Sequence, residues 1–410
     1  MNKKKIINDP VYGFINIPSD LIFDLIEHPY FQRLRYIKQL GMTHLVYPGA
    51  LHTRFHHALG AMHLMSLAIE TLRNKGNEID DLEEEAVIIA ILLHDIGHGP
   101  FSHALEETIV EGISHEDISV MLMNKLNQRF DGLLTKAIDI FNDTYPRKFL
   151  HQLVSSQLDM DRMDYLNRDS FFTGVSEGVI SSDRIIKMLN VKNDHIVVEE
   201  KGIYSIEKFL IARRLMYWQV YLHKTVIAAE QLLAKILKRS REIALSGRPI
   251  LSMPALNHFL KKPVSQQEFI DDEIHLEIFA KLDDTDIMAA VKLWSEHDDF
   301  ILSKLCRDLI ERKLYKVEIS NELPDSNFIA QLNRAAQKKY NVTEMEASYF
   351  VFRETIRNDA YKSGDGNIQI LMKNGSIKDI ADASDNSNLG ALAKTVKKYI
   401  VCYEKELVWG

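Results

Sequence analysis

A chain of 410 residues with 46 % hydrophobic and 26 % charged side chains has the composition of a globular protein and the length to bury a sizeable core. Its net charge of −8 argues against a surface that coats nucleic acid, although a metal ion and a few local arginines can still build a positive pocket for a phosphorylated substrate. Cys306 and Cys402 are too few for a disulfide framework, Lys3, Lys4 and Lys5 lead into no signal-peptide core, and no apolar run reaches the ~20 residues of a membrane span. The expected setting is cytoplasmic, with no membrane partner and nucleic acid disfavoured.

In chain order, Asp9 to Pro18 alternates apolar residues about a glycine and predicts a short hairpin. Ser19 to Leu40 keeps an apolar period near 3.6, from Leu21 and Ile22 to Leu34 and Ile37, which predicts helix with a break at His28 and Pro29. A second helix is predicted from Arg54 to Lys75. The acidic run Glu83 to Glu85 then leads into unbroken helix formers, Ala86 to Leu93. That run ends in His94 and Asp95, and Gly97, Gly99 and Pro100 stop it. Ser114 and Asp117 form a capping box for a helix to about Phe130. Leu133 to Phe141 and Phe149 to Leu166 are predicted helical, His195 to Ser205 a hairpin about Lys201 and Gly202, and Ile206 to Leu245 one long helix. Beyond Gly247 the texture changes. Amphipathic helices are predicted over 271–292 and 300–313 and a strand over 316–319, while Asn374 and Gly375 mark a hairpin. Only three histidines follow position 250, so this part reads as structural, regulatory or oligomeric.

A buried helix that delivers an imidazole and a carboxylate side by side, as Ala86 to Asp95 does, places an Asp where it must be paired or hold a metal. A satisfied His and an Asp that merely end a core helix would give the same pattern. Further residues of metal-ligand type stand in order along the chain: His57, His94, Asp95 and Asp161. Two imidazoles and two carboxylates leave open positions on an octahedral ion for water and a phosphate oxygen. Asp161, Tyr165 and Asp169 recur every four residues and share one helix face, and Arg54 and Arg162 stand close to ligand positions in the chain. His98 and His115 are candidate proton donors or phosphate contacts, because imidazole titrates near neutral pH.

FQRLRYIKQLG at 31–41, YPGALHTRFHHALG at 47–60, LLHDIGHGPFSH at 92–103, SHED at 114–117, DMDRMDYLNRD at 159–169, Arg213 and YLHK at 221–224 together resemble the HD-domain metal phosphohydrolases. More closely, they are similar to the deoxynucleoside triphosphate triphosphohydrolases (dNTPases) of vertebrates and bacteria. The resemblance covers residues 10 to 240 and implies metal ligation by His57, His94, Asp95 and Asp161. It implies catalytic roles for His98, His115 and Glu106, and phosphate contacts from Arg54, His103, Arg162 and Arg213. Gln39, Tyr165, Asp169 and Tyr221 match residues that hold the deoxyribose and exclude a 2′-hydroxyl. Gln32 and Arg35 match an activating guanine-nucleotide site at a subunit interface, where Glu27 replaces an Asp. Glu106 also replaces an Asp, and Tyr217 and Leu222 replace a His and a Gln near the base.

The expected architecture is mainly α: an HD-domain helical fold with small β-hairpins over 1–245, and a smaller C-terminal α+β region over 246–410. The resemblance implies one divalent transition metal (Fe, Mn, Zn or Ni), with Mg for nucleotide phosphates, and a homo-oligomer, dimer or tetramer. The implied reaction cleaves a dNTP to deoxynucleoside and inorganic triphosphate, by attack of a metal-bound water on the α-phosphorus. Another HD hydrolase (nucleotidase or phosphodiesterase) and a non-catalytic nucleotide sensor remain as alternatives.

Overall fold

The computed structural model describes residues 5–101, 105, 108, 110, 112–358, 361, 366–385 and 396–408. Strands β1 (Ile6–Asp9) and β2 (Gly13–Asn16) form the first hairpin, three residues earlier than the alternation indicated. Helix α1 (Asp20–Glu27) stops at His28, whose Nδ1 accepts from the amide of Tyr30 and so caps the short helix Pro29–Gln32. The chain then tightens into a 3₁₀ turn, Arg33–Tyr36.

Helices α2 (Arg54–Asn74) and α3 (Asp81–Leu93) are the centre of the molecule. Helix α2 buries Phe55, Leu59, Met62, Met65, Ile69 and Leu72, and the small residues Ala58, Gly60 and Ala61 let neighbours approach its backbone. Helix α3 starts at a capping box in which Asp80 Oδ1 accepts from the amide of Glu83 at 2.7 Å. Every residue from Ala86 to Leu93 is buried. At about 1.5–3 kcal/mol for each large apolar side chain removed from water, that segment anchors the helix whose end carries His94.

Helix α4 (His115–Arg129) follows with the predicted Ser114 cap. The helix predicted over 149–166 is instead two, Lys148–Val154 and α5 (Met160–Thr173), because Asp159 turns its carboxylate onto the amides of Ser156 and Arg162 and starts a new helix. The hairpin predicted about Lys201 lies earlier. β3 (Leu189–Lys192) pairs with β4 (His195–Glu199), and Asn193 and Asp194 take φ of 52° and 62° in the two-residue turn. The long helix predicted from 206 to 245 is α6 (Ile203–Met216), a π-turn at Tyr217–Tyr221, and α7 (Lys224–Leu245).

The C-terminal part is mixed. The helix predicted over 271–292 breaks into Gln266–Asp271, α8 (Glu273–Phe279) and Asp284–Trp294, each with its own acidic or serine cap. β5 (Lys316–Ser320) and β6 (Val351–Asn358) flank the last strand of a three-stranded antiparallel sheet. β7 (Gln369–Leu371) and β8 (Ile377–Asp379) form the hairpin at Asn374 and Gly375, and β7 adds in parallel to β4. That strand seats residues 366–371 against the helical domain. No helix among the described residues is long and apolar enough to cross a membrane.

Candidate active site

Three chain segments converge on one point. His57 comes from the second turn of α2, His94 from the C-terminus of α3, and Asp161 from the first turn of α5. His57 Nε2 and His94 Nε2 lie 3.3 Å apart, and Asp161 Oδ1 is 3.1 Å and 3.6 Å from them. The other nitrogen of each ring is committed: His94 Nδ1 donates to the carbonyl of Ile91 at 2.6 Å, and His57 Nδ1 to Asp164 Oδ2 at 2.7 Å. Both Nε2 atoms therefore face each other, and only a proton or a cation between them makes that arrangement favourable. Two neutral imidazoles and a carboxylate form a donor set that fits a divalent metal, so the residues present suit the ion this constellation implies.

When no cation is bound, the surrounding carboxylates favour a proton there. Burial pushes the His57 imidazole down, but Asp161 and Asp164 outweigh it and raise the group to about 10. Asp95 stands at the rim of the group. Its Oδ2 accepts from Arg54 Nη1, and its Oδ1 lies 3.1 Å from His98 Nε2 and 3.4 Å from His94 Nε2.

Behind the ligands is a fully buried chain that the sequence reading missed. Asp164 takes His57 on one side and Arg168 on the other, with Nε to Oδ2 and Nη2 to Oδ1 both at 2.9 Å. Arg168 Nη1 continues to Asp9 Oδ2 at 2.7 Å, which ties the N-terminal hairpin to the centre. Gly60 makes room for it: a Cβ there would stand 2.0 Å from Asp164 Oδ1. The signal was present as an Asp–Arg pair at i,i+4 on α5, but a pair of that spacing is usually solvent-facing.

The turn from His94 to His98 is held from outside by two further residues. Ser119 Oγ accepts from the Gly97 amide and donates to the His94 carbonyl, each at 2.9 Å. Buried Arg33 donates through Nη2 to the carbonyls of Ile96 and His98, at 3.1 and 2.8 Å. A Cβ at Gly97 would sit 2.3 Å from the His115 carbonyl, so only glycine lets α4 come this close. Phe279 of α8 covers the same turn, with the Arg33 guanidinium 5.5 Å from its ring centre.

The remaining sequence-predicted residues fall into several groups. His98 and His115 stack with ring centres 3.8 Å apart, and burial together with Arg54 holds His98 well below the usual imidazole range. Tyr221 donates to Asp169 Oδ2 at 2.7 Å, His52 Nε2 lies 2.7 Å from Asp169 Oδ1, and the Tyr165 and Tyr221 rings meet edge to face. Tyr217 sits against Tyr221 at 5.4 Å. Gln39 Oε1, Arg54 Nε, Arg162 Nε and two nitrogens of Arg213 are buried with no hydrogen-bond partner among the described residues. Gln32 and Arg35 bond to each other at 2.8 Å, Arg35 lies over the Phe55 ring, and Glu27 is exposed. His103 and Glu106 lie outside the described residues.

The family model described as HD domain matches residues 54–169, the span from Arg54 to Asp169 that carries all four metal-ligand candidates, and that described as HD associated region matches 180–253. A phosphohydrolase from Bacteroides thetaiotaomicron has the same fold with a TM-score of 0.95 at 55 % identity, covering 98 % of this chain and 100 % of its own. The chain belongs to the HD-domain phosphohydrolase family. The uncharacterized protein YwfO of Bacillus subtilis is 33 % identical over 398 residues, 94 % of this chain and 88 % of that protein. The deoxynucleoside triphosphate triphosphohydrolase SAMHD1 homolog of Dictyostelium discoideum is 34 % identical over 249 residues, 56 % of this chain and 48 % of that one. This HD-domain chain is thus a hydrolase whose His57, His94 and Asp161 form a group able to hold a divalent metal.

Proposed function

We propose that the protein hydrolyses deoxynucleoside triphosphates to deoxynucleoside and inorganic triphosphate. The observation that carries this reading is the juxtaposition of the His57–His94–Asp161 cluster with Arg54, which is bonded to Asp95, and with Tyr165 and Asp169 on the same helix as Asp161, where Tyr221 reaches Asp169 from the π-turn. A divalent metal held by His57, His94 and Asp161, with Asp95 as a fourth candidate, would lower the pKa of a water and polarise a phosphoryl oxygen. The chain's own residues supply the rest. Arg54, Arg162 and Arg213 neutralise the triphosphate, with His103 as a further contact. Water adds to the α-phosphorus, the bond to the 5′-oxygen breaks, and that oxygen takes a proton. His115, less buried than His98, is the donor in this scheme, with Glu106 assigned the role of a relay, while neutral His98 hydrogen-bonds the α-phosphate.

Asp169 is fixed by Tyr221 and His52, so its carboxylate meets a 3′-hydroxyl in one orientation. Tyr165 and Tyr221 lie edge to face and leave little room for a 2′-hydroxyl, which favours deoxy over ribo substrates. Glu27, Gln32 and Arg35 are the proposed contacts of an activating guanine nucleotide in a homo-oligomer. The test is to incubate the protein with Mn²⁺ or Mg²⁺ and four dNTPs, with and without GTP, and to separate the products by ion exchange. Triphosphate with deoxynucleosides is the expected result. Monophosphate products would move the protein to a nucleotidase, and no turnover with metal bound would make it a sensor.

A further inference from the structure

Behind Arg162 and Arg213 the molecule holds a cleft of 610 Å³, walled on one side by the loop Ser155–Leu158 and on the other by Gly366–Gln369. Gln157 Nε2 donates to the Gly366 carbonyl at 2.8 Å and ties the two walls together. We propose that this cleft binds an oligophosphate chain, running on from the two arginines into the space between the helical domain and the C-terminal strands. The inference rests on the reading in which Arg162 and Arg213 face a triphosphate.

Charge points to an anion. Among the described residues, Lys148, Arg162 and Arg213 line the cleft against a single carboxylate, Asp143. Arg162 is bonded to Asp159 and Lys148 to Asp143, but Arg213 Nε and Nη1 are buried without a partner among the described residues. An unpaired guanidinium at a cleft wall costs desolvation energy that an arriving anion would recover. A second donor is fixed by geometry. The Gln152 side-chain oxygen accepts from the Ile196 amide at 2.8 Å, so its nitrogen must be the group that donates to His195 Nδ1 at 3.0 Å. The proton of neutral His195 is therefore on Nε2, the nitrogen not used by Gln152.

Size and texture narrow the class. The volume suits a chain of several phosphates, yet among the described residues no Phe, Tyr or Trp lines the cleft to stack a base. The occupant is a phosphate chain, either free or as the tail of a nucleotide whose sugar and base lie elsewhere.

The experiment titrates the metal-loaded full chain with inorganic tripolyphosphate by calorimetry, for wild type and the Lys148→Gln/His195→Gln double variant, with metal content and Tm as folding controls. One site that weakens about tenfold or more in the double variant, and that orthophosphate does not fill at equal concentration, is expected. Unchanged affinity in a double variant with normal metal content and Tm overturns the proposal. KM for a deoxynucleoside 5′-tetraphosphate separates the two sources: a matching rise means the nucleotide tail uses the cleft, and an unchanged KM beside weakened tripolyphosphate means free oligophosphate does. Tripolyphosphate binding without dNTP turnover in wild type would leave the cleft standing and reject the dNTPase reading alone.

Discussion

The metal cluster and the arginine flank beside it are built on opposite terms. Around His57, His94 and Asp161 the ligand-type side chains are held from behind: Asp164 and Arg168 behind His57, the Ile91 carbonyl behind His94, and Ser119 and the Nη2 of Arg33 around the turn, although Arg33 Nε and Nη1 have no partner among the described residues. On the flank, Gln39, Arg54, Arg162 and Arg213 all carry buried polar atoms without a partner among the described residues. The first region holds its ligand-type side chains in place, and under the proposed function the second would be completed by an anion.

The sharpest way to break that comparison is at the ligands. His94→Ala or Asp161→Ala should lose metal in elemental analysis and turnover together, by about a thousandfold or more in kcat/KM, since the ion supplies several kcal/mol of charge stabilisation. Full activity in either variant would reject the site. Asp164→Asn comes next. It leaves buried Arg168 short of a charge partner, for about 3–5 kcal/mol of stability by chemical denaturation, and should weaken metal binding about 10–100-fold by letting His57 turn.

The pH dependence follows from His57. Its folded value is raised to about 10, above an unfolded value near 6.5, so its contribution to the metal-free protein is complete below about pH 6.5 and lost as pH climbs through 10. Metal must displace that proton, so metal affinity should rise with pH and binding should release protons into buffers of differing ionisation enthalpy. Calorimetry that finds no proton release at pH 7.5 would contradict the arrangement. A smaller effect is expected from Ser119→Ala, about 1–3 kcal/mol, because it strands the Gly97 amide and the His94 carbonyl.

Arg213→Met sharpens the other half. Removing an unpartnered buried guanidinium should leave Tm unchanged or raise stability by about 1 kcal/mol, while KM for a dNTP rises. A clear loss of stability in Arg213→Met would show the flank to be structural after all.

The sequence by itself determined the helical core and the ligand order. An apolar run from Ala86 to Leu93 can only be buried, and a His–Asp pair at its end is carried in with it. The cap at Ser114 was equally legible, because a capping box is a contact between residues three apart. Periodicity failed where local polar chemistry interrupts an apolar stripe, as at Asp159 and at the π-turn before Tyr221. Only the tertiary structure decided that Asp164 and Arg168 face inward, that Asp9 reaches them across 159 residues of chain, and that Arg33 and Ser119 hold the catalytic turn. The physical reason is that a buried charge is defined by its partner, and here the partners come from segments whose separation in sequence leaves no periodic trace.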